Sequence, residues 1–264
     1  MTGWLDELQL EAGPPWWSMG TRAIGAGHGF LPDEDEERDL ALKAELLANR
    51  HDEVFAAFDT PAVVAASRAT LALVEAVSDK RAGDSTLHPL DAAGRLVQED
   101  LCLLILRDGD AFLDAASLCF PSYWRLSDKL GCPIDAVHGP VPRYDSQLGR
   151  RVSGFIQRLK PGRPVWRRNW SIHDDPSYFL PGSTAHPVKH GELYLRSERQ
   201  TLRRLPETDA VLFTIRTQQV PLSDVEQRPD LAGRMAAVIE AWPPDVVAYK
   251  GGHGALRALD RLRT

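Results

Sequence analysis

The stretch LCLLILRDGDAFLDAASLCF, residues 101–120, does most to limit what this chain can fold into. Two apolar runs flank Asp108-Gly109, and an Asp-Gly pair between such runs is a strong short-range signal for a β-hairpin. A short helix-compatible patch follows, ending at His138. QLGRRVSGFIQRL (147–159) then spaces its apolar residues as an amphipathic helix does. PGRPVWRRNWSIH (161–173) opens with turn residues and becomes aromatic and β-branched, which predicts a strand. ELYLRSERQTLRRLP (192–206) and AVLFTIRTQQVPL (210–222) predict a strand pair joined near Pro206-Glu207-Thr208-Asp209, and DLAGRMAAVIEAW (230–242) a terminal helix. Strands in runs, without strand–helix alternation, predict an α+β fold with an antiparallel sheet and flanking helices.

The N-terminal part reads differently. In DEDEERDLALKAELLANRHDEVFAAF (33–58) acidic residues crowd the start, where a helix dipole favours them. Leu40, Ala44, Leu47, Val54 and Phe58 can share one helical face. Thr60-Pro61 reads as a hydroxyl N-cap followed by a first-turn proline. It opens a second helix through Val64, Leu71 and Val74 that ends near Gly83. Residues 1–32 carry Pro14-Pro15 and three tryptophans, and are expected to wrap irregularly on the core. Residues 1–85 are thus expected as an N-terminal helical extension and 86–264 as the main domain. A hairpin, helices and a three-strand meander is also the layout of a PAS-type domain, a fold-level likeness that says little about function by itself.

Net charge is −6 over 264 residues, which gives nucleic-acid binding no global electrostatic support. Three cysteines with no CxxC pair predict a reduced, intracellular protein. The start lacks a basic-then-apolar leader and no apolar run of about 18 residues is evident, so neither a membrane span nor secretion is expected. The reading is cytoplasmic.

His138 sits in DKLGCPIDAVHGPVP, where glycine and two prolines stiffen the backbone around it. A lone histidine is ordinarily a satisfied cap or core residue. The alternative is an axial ligand, because one imidazole suffices for an open haem iron. In VWRRNWSIH, period-two alternation places Trp166, Arg168 and Trp170 on one face and Arg167 with Asn169 on the other. Arg168 is either a surface arginine beside structural tryptophans or a guanidinium for a haem propionate or bound oxygen. In LRSERQTLRRLP, Arg196, Glu198 and Gln200 share one face and Ser197, Arg199 and Thr201 the other. Charge suits a solvated edge strand, but AVLFTI beside it should be central, and charge next to a central strand favours a pocket. There a carboxylate such as Glu198 binds a small ammonium ion or acts as a base. GAGHG (25–29) lacks the strand that a dinucleotide loop requires. His186 and His190 are separated by Pro187, against a helical metal pair. His173-Asp174-Asp175 is a candidate metal-binding cluster, but Pro176 favours a capped turn; Cys132 has no neighbour that marks it reactive, and YKGGHG (249–254) is most simply a flexible turn.

Taken together, PSYWRLSDKLGCPIDAVHGPVP, RRNWSIHDD and LRSERQTLRRLP, in that order, resemble the haem-dependent oxidative N-demethylase family, whose haem subunit is PAS-like. WWSMGTRAIG and KAELLANRHDEVFAAF fit as well, so the likeness covers most of residues 16–250, while GAGHGFLPDED is unusual for it. The resemblance implies haem b with His138 on iron. It puts Arg168 and the 195–206 strand on the distal side, with Glu198 orienting an ammonium substrate, Arg168 or Arg199 donating to oxygen or a propionate, Arg196 near the cofactor and Trp170 walling the pocket. The implied reaction is oxidative N-demethylation of a small secondary methylamine with O2 and external electrons, releasing formaldehyde. Flavin and an iron–sulfur cluster then belong to a separate reductase or electron-transfer subunit. A haem-based PAS gas sensor and a haem-free interaction subunit are the two competing readings.

Overall fold

Asp108 and Gly109 both take positive φ, 53° and 77°, as a two-residue primed hairpin turn demands. The computed structural model describes residues 3–11, 20–24, 29–139, 141–142, 144, 146–182 and 191–263. After a 3₁₀ turn at Gly3–Glu7 the elements are β1 (Arg22–Ala23), α1 (Glu36–Asn49), α2 (His51–Val54), β2 (Phe55–Ala57), α3 (Pro61–Ser78), α4 (Pro89–Gly94), β3 (Asp100–Arg107) and β4 (Asp110–Ser117). A second 3₁₀ turn (Leu126–Asp128) leads to α5 (Ile134–Val137) and α6 (Ser146–Arg158). Then come β5 (Val165–His173), β6 (Tyr194–Arg204), β7 (Ala210–Pro221), α7 (Leu222–Glu226), α8 (Pro229–Ala241), α9 (Pro244–Lys250) and α10 (His253–Leu262). The strands form one sheet in the order β1-β5-β6-β7-β3-β4-β2, with every neighbouring pair antiparallel. The fold is α+β, as the runs of strands predict.

Two expectations need correction. The helix expected over 33–58 ends at Asn49. Phe55–Ala57 leave it to pair with Ser117–Ala115 on the open edge of β4, where strand hydrogen bonds outweigh continued helix. The chain also does not finish at one terminal helix, since α9 and α10 follow α8. The start of α3 is as read: Thr60 Oγ1 accepts from the Val63 amide at 3.3 Å, and Pro61 fills the first turn. At 18 residues and mean hydropathy 1.3, α3 is long and apolar enough to cross a membrane by length and composition, contrary to the sequence expectation. In this fold its Val63, Ala66, Thr70 and Val74 face is buried beneath the sheet, and Arg68 is exposed on the other side.

The sheet separates two environments. On one face Leu101, Leu103 and Ile105 pack against α3 and α4, and Trp170, Ile172, Leu195 and Val220 pack against α7, α8 and α10. On the other, Cys102, Leu104, Leu113, Val211 and Ile215 meet Ile134 of α5 and Ile156 of α6. Apolar cover is incomplete on this second face, and a cavity opens there.

Candidate functional site

The cavity has a volume of ≈ 420 Å³, within the range of small-molecule and cofactor pockets. Its apolar walls come from Leu104 and Leu113 of the hairpin, Phe213 and Ile215 of β7, and Val152 and Ile156 of α6. His138 lines it from the end of α5. Arg167, Asn169, Glu198 and Gln200 line it from the sheet, and Ala248–Gly254 close it at the α9–α10 corner.

His138 is the C-cap residue of α5, with φ −92° and ψ 0°. Its Nδ1 is 2.9 Å from the Ile134 carbonyl. A carbonyl only accepts, so Nδ1 carries the proton and Nε2 keeps its lone pair. Among the described residues Nε2 has no protein partner. The ring stacks on Tyr144 with centroids 5.1 Å apart and planes at 17°. Burial holds the imidazole below its usual range against the Ile134 hydrogen bond, with Lys129 and Arg167 pushing it further down. The group is therefore neutral at pH 7 and has the tautomer a metal ligand needs. Close approach of α6 supports this corner, since a Cβ at Gly149 would lie 2.6 Å from Asp135 Oδ2.

The sheet side of the cavity is polar. Asn169 and Glu198 are direct cross-strand partners, as are Arg167 and Gln200. Gln200 Nε2 donates to Glu198 Oε2 at 2.8 Å, and Glu198 makes no salt bridge among the described residues. The Arg167 Nε is buried with no hydrogen-bond partner there. Burial depresses that guanidinium's pKa and Glu198 partly offsets the effect. Among the described residues β1 pairs with β5 at Val165 and Trp166. Further along β5 the α9–α10 corner packs against the strand: Lys250 Nζ donates to the Trp170 carbonyl at 2.8 Å and to Asn169 Oδ1 at 2.5 Å. Gly251, at φ 143°, comes so close that a Cβ would sit 2.5 Å from the Ile172 carbonyl oxygen.

Burial, with Arg167 beside it, pulls the Lys250 amine down to about 7 from 10.5; burial and the nearby Glu198 push the Tyr249 hydroxyl up to about 12. Between pH 7 and about 10 the unfolded chain therefore binds a proton at Lys250 that the folded chain does not, so this residue makes stability rise with pH in that window. Below pH 7 it carries the full cost of a buried charge. Relative to Lys250→Met, the wild-type protein should gain stability between pH 7 and 10, which urea unfolding at the two pH values measures.

Alternation along the strands turns several expected site residues away from the cavity. Arg168, Arg199 and Arg216 are successive cross-strand neighbours on the opposite face of β5, β6 and β7. Arg168 pairs with Glu7 at 2.5 Å and donates to Gln218 at 2.9 Å. Arg199 donates to the Gly29 carbonyl at 2.8 Å, and Arg216 bridges Asp33 and Asp39 at 2.8 and 2.9 Å. This ladder fastens the N-terminal segment to the sheet. Trp170 packs on Trp242 in the helical core. Arg196 starts from the cavity face but spends its guanidinium on the Phe120, Ser177 and Tyr178 carbonyls. Of the expected residues, the structure brings His138 and Glu198 to one cavity.

His173 and Asp174 also line the cavity. His173 stacks on Tyr123, and Asp175 Oδ1 accepts from the Ser177 amide at 2.8 Å, the capped turn expected there. Among the described residues no group of three or more His, Cys, Asp or Glu is placed to hold a metal ion. His186 and His190 lie outside the described residues, as do 25–28 of GAGHG. Sequence reasoning missed Arg167, Asn169, Lys129, Tyr249 and Lys250 as cavity residues. The alternation of VWRRNWSIH does separate Arg167 and Asn169 from Arg168, but which face meets the cavity depends on packing that no local pattern carries. Gly251-Gly252 in YKGGHG was the readable sign of a close backbone approach.

An α+β chain whose cavity joins apolar walls to a neutral imidazole, His138, and a carboxylate, Glu198, has the makings of a cofactor-binding protein. Residues 46–259 match the family described as haem-dependent oxidative N-demethylase, alpha subunit-like, and the chain belongs to that family.

Proposed function

We propose that the chain binds haem b in this cavity and carries out oxidative N-demethylation of a small secondary methylamine. The observation that carries the reading is His138, with Nδ1–H fixed on the Ile134 carbonyl and Nε2 left as a lone pair on a ring that lines the cavity. A backbone carbonyl accepting from the other ring nitrogen is how ligating histidines are commonly oriented. The remaining residues fit a haem: aliphatic and aromatic walls suit a porphyrin plane, and Arg167, whose buried Nε has no partner among the described residues, and Lys129 suit its carboxylates. The order of the hairpin and the three-strand meander in the sheet supports the PAS-like reading.

When bound, haem supplies activation of O2. The chain's own residues bind and orient the amine. Glu198, held by Gln200 and free of salt bridges among the described residues, attracts the substrate ammonium and fixes its nitrogen. Asn169 and the Lys250 amine form a hydrogen-bonded pair beside it that can hold or pass a proton. The apolar side of the cavity takes the methyl groups and keeps water out. The balance is one secondary methylamine, one O2, two electrons and two protons giving the demethylated amine, formaldehyde and water. The electrons are assigned to a partner reductase or electron-transfer subunit, and the three cysteines of this chain are one short of a four-thiolate iron–sulfur cluster.

The test is formaldehyde release from dimethylamine by the haem-loaded chain with O2 and a reducing system. Stoichiometric formaldehyde supports the reading, and oxygen binding without formaldehyde points to gas sensing.

A further inference from the structure

α6 closes the cavity with one side and presents a different chemistry on the other. Val152 and Ile156 line the cavity, and Ser153 Oγ donates to Asp110 Oδ1 at 3.0 Å. On the opposite side Arg150, Arg151 and Arg158 fall within about 100° of one another around the helix, at 3.6 residues per turn. All three are exposed, as are Lys160 and Arg163 just beyond the helix end. Residues 146–163 contain no Asp or Glu, although the chain as a whole has a net charge of −6. None of these five side chains makes a salt bridge among the described residues. Gly154 lies in the middle of the face, and Arg158 folds back over it, with Nη1 3.1 Å from where a Cβ would stand. The basic groups therefore form one shallow patch, separated from the cavity by about 10 Å, the thickness of a helix.

We propose that this outer face of α6, with Lys160 and Arg163, is the docking surface for an acidic electron-transfer protein that reduces the loaded chain. The inference rests on the haem reading above. Charge complementarity selects an acidic partner and raises its rate of encounter, and the patch lies on the thin wall of the cavity. A membrane surface fits less well, because membrane-binding helices insert apolar residues and Phe155, the large apolar residue nearest this face, packs inward. The donor loses one electron per encounter, so two encounters complete each turnover.

Stopped-flow reduction of the full-length, haem-loaded chain by a reduced plant-type [2Fe–2S] ferredoxin, an acidic one-electron donor, tests this at low and high salt. Arg150→Glu/Arg151→Glu/Arg158→Glu should slow reduction at least about tenfold at low salt, with an unchanged Soret band and unchanged reduction by dithionite. The corresponding triple Gln variant should lie between, and the wild-type rate should fall with salt. Arg68→Glu/Arg81→Glu/Arg234→Glu, on the far side of the sheet and with the same net charge, should match the wild type. Rates within twofold across all proteins, equal slowing by the distant variant, or no reduction of the wild type by ferredoxin would overturn the docking surface. So would loss of binding to phosphatidylserine vesicles in the Glu variant with ferredoxin reduction intact. A wild-type chain with no Soret band would overturn the haem reading itself, and the docking surface with it.

Discussion

His138→Ala protein, produced with the same haem supply as the wild type, is expected to show no Soret band. The substitution removes a neutral imidazole that lines the cavity with its Nδ1 already committed to a backbone carbonyl. Changing an outer-shell partner of a metal ligand costs 10- to 100-fold in affinity, so deleting the ligand itself should cost more than about 100-fold. The fold should survive. The alanine gives up one hydrogen bond, worth about 1 kcal/mol, and the stacking on Tyr144 at a helix end. Circular dichroism and thermal unfolding should therefore stay near the wild-type values while the colour is lost. A normal band in this variant excludes His138 as the ligand.

The second large effect is expected at Glu198. Glu198→Gln keeps the shape and a hydrogen-bonding neighbour for Gln200 but removes the charge that pairs with an ammonium group. Truncating one partner of a desolvated charge pair costs about 2–5 kcal/mol, which corresponds to a fall in kcat/KM for dimethylamine of at least about 30-fold. The Soret band should be unchanged, because Glu198 comes from the sheet and His138 from α5 on another wall. A loss smaller than threefold means another group binds the amine.

Much of the fold was legible because its elements carry local signals. Asp108-Gly109 set the hairpin, Thr60-Pro61 set the start of α3, and the apolar run AVLFTI lies at the centre of the sheet between β6 and β3. The end of α1 was not legible, since Phe55–Ala57 read equally as helix until the free edge of β4 is there to pair with them. The site divides in the same way. His138 stood out through its rigid neighbours, and Glu198 through charge beside a central strand. Alternation grouped Arg168 with Trp170 and Arg167 with Asn169 correctly, but not which pair meets the cavity. That follows from the Arg168–Arg199–Arg216 ladder binding Glu7, Asp33 and Asp39 on the other face, contacts 161 to 183 residues apart in sequence. Lys250 was invisible for a similar reason: its burial depends on docking against Asn169 and Trp170 of β5, about 80 residues earlier in the chain.

The most direct test of the central claim is resonance Raman spectroscopy of the ferrous, haem-loaded wild-type chain. The account predicts an iron–histidine stretching band that shifts when the protein is labelled with ¹⁵N-histidine, at one haem per chain. A loaded chain without that band, or one with the band unchanged in His138→Ala, would contradict it.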